Sequence, residues 1–478
     1  MLQRPKIWRT ALHKQLLSVD KWSWSSLAVA ACLAASGVAQ AQSSTSPAAP
    51  VDDSLTWHGI TLYGIVDIGL QYDTHSAPFT DYFPGGSSDI VQKFSRQSAV
   101  GATPSNLSQS RVGLQGTEPI TDDLSAVFKL ETFFNPQAGT LSDGPKSQVL
   151  NNGKALNQQT VNLDSSVAGE AFQTAYAGIS SKLYGTVTFG RQLTLLADGI
   201  NKYDPNYGSQ AFSLIGLSGS YAGGGDTEDK RVDEALKYYG TFNNLIHVGA
   251  LYKFNGSNGG ANTITQLEFG GEYAGASVDA YYSKAKSAVS TAVLSLAQVT
   301  ELPTLGFTES NSLAGTISDN TAFSVMGLYK LDVLKFFVGY EHIKFANPAN
   351  PLGAGFIIPG GYTLAFVNND AYVNDKILQV YWAGARYTVV PNLDLTVAYY
   401  GYHQNAYGTG SNAGCDTNKS GTCSGRFEAI SFNADYTLSR HFDVYAGAMY
   451  SGVYDGVANG YLYQRTNINP TIGVRAKF

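Results

Sequence analysis

Charged residues recur in the middle of segments that otherwise read as strands with one greasy face. From Ile60 onward the apolar residues repeat with a period of two, not 3.6. "TLYGIVDIGLQY" places Leu62, Val66, Ile68, Leu70 and Tyr72 on one face, with Thr61, Asp67 and Gln71 on the other. "SAVFKLETFF" sets Ala126, Phe128, Leu130 and Phe134 opposite Lys129 and Glu131, and "FDVYAGAMY" sets Phe442, Val444, Ala446, Ala448 and Tyr450 against Asp443. A soluble β-sandwich or propeller would turn the apolar faces inward. The opposite faces here carry charge at mid-strand. Facing lipid at the midplane of a bilayer, Lys129 alone would cost about 2–4 kcal/mol, whereas facing a water-filled lumen it costs little. Apolar faces outward, polar faces inward and closure into a ring would also remove every unpaired strand edge, which lipid cannot hydrogen-bond. A few stretches, such as "LQVYWAGARYTVV", alternate poorly.

The connections between these strands alternate in length. Short links fall at 119–123, 180–184, 242–244, 274–276, 331–332, 390–392 and 439–441. Between them lie long loops rich in Gly, Asn, Ser and Asp, at about 74–108, 135–170, 192–230, 255–263, 287–321, 346–376, 404–425 and 452–466. Sixteen strands of roughly 8–13 residues result, and tilted strands cross a hydrocarbon layer in about 9–11. An even strand number, with short turns at one rim and long loops at the other, predicts an all-β fold: a 16-stranded antiparallel transmembrane β-barrel. No domain boundary interrupts residues 59–478.

The N-terminus reads as a targeting segment. Arg4, Lys6, Arg9, Lys14 and Lys21 precede the apolar run 27–38, too short for a spanning helix, and Ala39-Gln40-Ala41 offers a small-x-small cleavage site. Residues 1–41 are therefore predicted to be a signal peptide and 42–58 a short leader. Removing 1–41 leaves 26 basic against 36 acidic residues, a net charge of −10, which argues against nucleic acid as a partner. Charged residues make up only 14% of the chain, below the roughly 25% usual in soluble proteins. The two cysteines that remain, Cys415 and Cys423, should pair in an oxidising exported compartment. So small a loop would gain about 2–3 kcal/mol.

Several motifs in order carry a resemblance: "TLYGIVDIGLQY", "SRVGLQGTEPITDDLSAVFKLETFF", "AYAGISSKLYGTVTFGRQ", "YTLSRHFDVYAGAMY" and the terminal "GVRAKF". Together they resemble the trimeric Gram-negative general porins, especially the β-proteobacterial branch, over essentially the whole mature chain. The resemblance implies a homotrimer in the outer membrane, in contact with lipid and lipopolysaccharide, with short periplasmic turns and long extracellular loops. It implies a water-filled channel for passive diffusion of ions and small hydrophilic solutes, without a cofactor. In the last strand Ile472, Val474, Ala476 and Phe478 alternate with Thr471, Gly473, Arg475 and Lys477. Phe478 matches the aromatic ending that the barrel assembly machinery recognises in this family. A solute-specific channel and a non-transport barrel, an adhesin or receptor using the long loops, are the competing readings.

A channel sorts solutes with fixed charges at a constriction and needs no nucleophile. The resemblance implies that the third long loop, 192–230, folds into the lumen and that its tip, "YAGGGDTED", supplies an acidic side from Asp226, Glu228 and Asp229. The facing basic side would be Arg111, at the family's second-strand arginine position, with Lys129, Arg231 and Lys237 as further candidates. At the matching fourth-strand position the family usually has arginine and this chain has Gln173, which weakens the expected anion preference. Asp67, Glu131, Gln173 and Arg475 are expected to line the pore. Arg191 could line it too, or clamp a subunit interface. The glycine run 223–225 lacks the Lys-Ser/Thr of a phosphate loop, and the mature histidines are scattered without metal-ligand spacing. His75 near Asp73 and His342 beside Glu341 are local acid–histidine pairings, and adjacent strand residues point to opposite faces.

Overall fold

A computed structural model describes residues 55–82, 91–93, 97–161, 169–215, 230–254, 262–409 and 422–478. The predicted signal peptide and most of the predicted leader lie outside these residues, as do Cys415 and Asp226, Glu228 and Asp229. Sixteen antiparallel strands close a barrel. They are β1 (Ile60–Ser76), β2 in two lengths (Gln97–Pro104 and Arg111–Pro119), β3 (Leu124–Asn135), β4 (Thr174–Ser181), β5 (Gly185–Leu193) and β6 (Arg231–Phe242). There follow β7 (Ile246–Lys253), β8 (Ile264–Tyr273), β9 (Ala276–Ala292), β10 (Ser312–Leu331) and β11 (Leu334–Ala346). The ring ends with β12 (Lys376–Val390), β13 (Leu393–Gln404), β14 (Gly425–Ser439), β15 (Phe442–Asp455) and β16 (Thr471–Lys477). Each strand pairs with its neighbours in sequence, and β16 returns to β1 from Ile65↔Lys477 to Gln71↔Thr471. Gly64 and Phe478 lengthen that ladder by exchanging backbone hydrogen bonds of 2.9 and 3.1 Å. No helix among the described residues is long and apolar enough to cross a membrane; the barrel crosses with strands.

The turns at the short rim follow their chemistry. Tyr273 pairs with Ala276 across Ala274 and Gly275, whose φ angles of 50° and 85° are both left-handed. Leu331 pairs with Leu334 across Asp332 and Val333, where Asp332 alone is left-handed, with a φ of 49°. Such mirror-image turns match the twist of the strands they join, and glycine and aspartate tolerate them best.

The two faces of the wall are the predicted ones on β1, β3 and β15. Leu62, Leu70 and Tyr72 stand outside, while Thr61, Asp67, Gln71 and Asp73 are buried inside. Phe442 and Tyr450 are exposed, and Asp443 between them is buried.

Two features differ from the sequence reading. The region 287–321 is not all loop: β9 and β10 stay paired from Ala288↔Ser318 to Ala292↔Ala314, beyond a bulge after Ala285. The small and β-branched run "AVSTA" sustains a ladder that outlasts the membrane span. The second difference lies on the inner wall. It is not uniformly polar, because Met326, Ile343, Val380, Trp382, Ala398, Ala429 and Met449 all face inward in one buried cluster. This explains the poor alternation of residues 378–390. Leu378, Val380 and Trp382 are covered from inside by loop three, so both faces of β12 meet apolar surroundings.

Candidate functional site: the lumen and its constriction

Loop three, between β5 and β6, enters the barrel as helix α2 (Leu195–Tyr203). Thr194 caps it, its hydroxyl accepting from the Ala197 amide at 3.1 Å, and the Gln266 side chain on β8 accepts from the Leu195 amide at 2.7 Å. These bonds satisfy amide groups that a helix start leaves orphaned. The apolar face of the helix, Leu195, Leu196 and Ile200, packs in one cluster with Leu251, Ile264 and Tyr281 of β7, β8 and β9. Its polar face carries Asp198 and Lys202, four residues apart. Asp198 is ion-paired to Lys237 of β6, and Lys202 reaches Asp279 of β9 at 2.9 Å.

Beyond the helix the chain continues around the inner wall. Trp382 on β12 donates its indole N–H to the Tyr203 carbonyl at 3.0 Å, and Arg386 donates to the Pro205 carbonyl at 2.9 Å while lying 4.0 Å over the Tyr207 ring. The Tyr400 hydroxyl on β13 donates to Asp204 at 2.7 Å. Burial pushes the Asp204 carboxyl above its ordinary range, against the hydrogen bonds it accepts. Asn206 donates to the Tyr400 and Ser431 hydroxyls, and Asn469 donates to the Ala211 carbonyl at 3.0 Å. The loop is thus fastened from β7 round to β16.

A second inward element meets it there. Residues 105–110 leave the line of β2 and fold inside the barrel. Asp67 on β1 holds them: one carboxylate oxygen accepts from the Leu107 and Ser108 amides at 2.9 and 2.7 Å, and the other accepts from the Tyr445 hydroxyl. Asp67 is 0% exposed, so the residue expected to line the pore instead anchors this insert. The physical reason is that a carboxylate facing the lumen attracts whatever backbone donors the chain folds over it. The insert in turn receives loop three, since Asn106 accepts at its carbonyl from the Ala211 amide (2.9 Å) and the Ser209 hydroxyl (2.8 Å). Arg475 is taken up by the same corner, donating to Ser108 at 2.7 Å and pairing with Asp443 and Asp435 at 2.6 and 3.0 Å.

The wall on β2, β3 and β6 carries the basic candidates. Arg111 and Lys129 lie 3.5 and 3.4 Å from the same Glu131 oxygen, which also accepts from the Tyr63 hydroxyl at 2.8 Å. Arg231 stacks 4.4 Å from the centre of the Phe133 ring, two residues along β3 on the same face. Glu131 is buried beneath these groups, whereas Lys129 keeps 27% of its side chain in water. Arg111, Lys129 and Arg231 are therefore brought together, with Glu131 as their shared counter-charge. Lys237 stands apart, committed to α2. Arg191 donates to Gln173 at 3.3 Å and pairs with Asp233, and Gln173 is buried. Sequence reasoning missed Asp198 and Lys202. The signal was present: "LLADGINKY" has helical spacing, with its charged residues opposite Leu196, Ile200 and Tyr203.

The family model of the Gram-negative porins matches residues 27–455. The chain belongs to the Gram-negative porin family. An outer membrane porin protein of Bordetella pertussis is 26% identical to this porin over 214 residues, 44% of this chain and 46% of that one, so the matched stretch spans about half of that relative's length. The anion-selective porin from Comamonas acidovorans has a similar fold, with a TM-score of 0.55 at 16% identity, covering 88% of this chain and 99% of that one. A trimer form of OmpT of Vibrio cholerae follows, with a TM-score of 0.50 at 15% identity, covering 88% and 99%. The family and fold are those of outer-membrane channel proteins. In the porin the short-turn rim is periplasmic and the long loops are extracellular. His342 and Glu341 lie on opposite faces of β11, Glu341 buried inside and His342 half-buried on the outer side.

Proposed function

We propose that this porin is a passive channel for ions and small hydrophilic solutes, assembled as a homotrimer and surrounded by outer-membrane lipid and lipopolysaccharide. The observation that carries the reading is the asymmetry of the lumen. Loop three is bound to one arc of the wall by an apolar core, while the opposite arc keeps Arg111, Lys129 and Arg231 grouped around a single carboxylate. The aqueous path would run between that arc and the loop, with Asp226, Glu228 and Asp229, which lie outside the described residues, proposed as the source of the opposing charge. Opposed charges across a narrow waist set up a transverse field, stronger as the local dielectric falls, that favours dipolar solutes over apolar ones. No chemical step or cofactor is needed for this activity. The trimer form of the Vibrio cholerae relative supports the oligomeric state, and the aromatic Phe478 supports handling by the barrel assembly machinery.

Planar-bilayer recording tests the reading. Purified porin should raise conductance in steps grouped by three, and Arg111→Glu should move the reversal potential in a KCl gradient toward cation preference. Protein that inserts without conducting would sink the channel; an unmoved reversal potential would remove Arg111 from the constriction. Export also places Cys415 and Cys423 where they form a bridge. Alkylation without reduction should label neither; labelling of both would show them reduced.

A further inference from the structure

Loop two, between β3 and β4, does not stand free above its own hairpin. Its helix α1 (Gly144–Val149) and the residues after it lie against loops five and six, rooted on the far arc of the ring at β9–β10 and β11–β12. Asn152 is 4% exposed and all of its amide is used. It donates to the Glu309 and Ser312 carbonyls at 3.0 and 2.8 Å and accepts from the Leu294 amide at 2.8 Å. The Gly153 amide adds a bond to the Leu294 carbonyl at 2.9 Å. Val149 belongs to a buried cluster with Val289, Leu313, Ile317, Ile358 and Leu364. Two ties reach loop six: the Tyr362 hydroxyl donates to Asp143 at 2.8 Å, and the Gly360 amide donates to Glu170 at 2.6 Å. On the near side the Val161 amide bonds the Pro78 carbonyl of loop one at 3.0 Å.

A loop rooted at β3 and β4 that is fastened beside β1 and also over β9–β12 must cross the mouth. A buried asparagine with every bond made, together with an apolar cluster, describes a built contact and not a chance approach of surface loops. We propose that loop two is a strap across the extracellular mouth that sets an upper size limit on solutes before they reach the constriction. This rests on the channel reading and adds a second, outer sieve to it. The strap selects by size, because the contacts that fasten it are apolar or hydrogen-bonded. The constriction below selects by charge.

Liposome swelling with neutral sugars of rising size, arabinose, sucrose and raffinose, separates the two roles. The variants are Asn152→Ala combined with Tyr362→Phe, and replacement of 144–153 by a short Gly-Ser linker, each checked for a folded barrel by heat-modifiable gel migration. Loosening the strap should raise raffinose entry several-fold relative to arabinose, with the KCl reversal potential unchanged. An unchanged size dependence in both variants would overturn the strap. So would dissociation of the oligomer without altered sieving, which would assign loop two to a neighbouring subunit. Wild-type protein that conducts nothing would instead overturn the channel reading, and the strap's role with it.

Discussion

Trp382→Ala should release loop three from the wall while the barrel itself stays folded. The indole is 2% exposed, fills the space over Gly339 and donates to the Tyr203 carbonyl at the end of α2. A Cβ at Gly339 would lie 2.0 Å from the Trp382 ring, so β11 has made room for this one side chain. Truncating a buried tryptophan costs about 3–5 kcal/mol through lost burial and the cavity left behind. Sixteen strands in a closed hydrogen-bonded ring do not depend on that contact, but the docking of the loop does. Single-channel recordings should show a larger mean current and strong open-channel noise. Heat-modifiable migration should be retained. A quiet channel of wild-type conductance would mean that the remaining ties, Arg386 to Pro205 and Tyr400 to Asp204, hold the loop unaided.

The second large effect is expected at Asp67. In Asp67→Ala the Leu107 and Ser108 amides and the Tyr445 hydroxyl lose their acceptor in a buried site, at about 1–3 kcal/mol for each group left unpaired. The insert 105–110 should then detach, and with it the support that Asn106 gives to loop three. Asp67→Asn keeps one acceptor oxygen for the two amides and should retain part of the stability. Protease should reach residues 105–110 in the alanine variant and not in the wild type, and the thermal midpoint in detergent should fall. Equal midpoints for wild type and Asp67→Ala would show that the insert is held by its backbone bonds alone.

Both predictions turn on residues whose roles the linear sequence left open or misplaced. Asp67 is polar on an inward face, so alternation marks it as lumen-facing. It cannot tell that the chain folds back over it. Trp382 sits in one of the stretches where alternation breaks down. Read alone, "LQVYWAGARYTVV" is only an ambiguous strand; with loop three in place it is a wall whose inner face is buried under protein and whose outer face is exposed to lipid. The basic group was closer to the surface of the sequence. Arg111, Lys129 and Glu131 lie on adjacent strands of a predicted hairpin, and the register Arg111↔Phe133, Gly113↔Glu131 sets Arg111 diagonal to Glu131 on the same face.

What the sequence determined by itself was the barrel: the strand number, the alternation of short and long connections, the outward apolar face and the closing strand with its aromatic end. Those features follow from a period of two and from turn chemistry, both local, and from the cost of placing charge or an unpaired backbone in lipid. Only the tertiary structure decided how the interior is filled. The path of loop three, the insert over Asp67 and the strap across the mouth depend on contacts between segments tens to hundreds of residues apart, and no local pattern encodes which loop meets which arc of the wall.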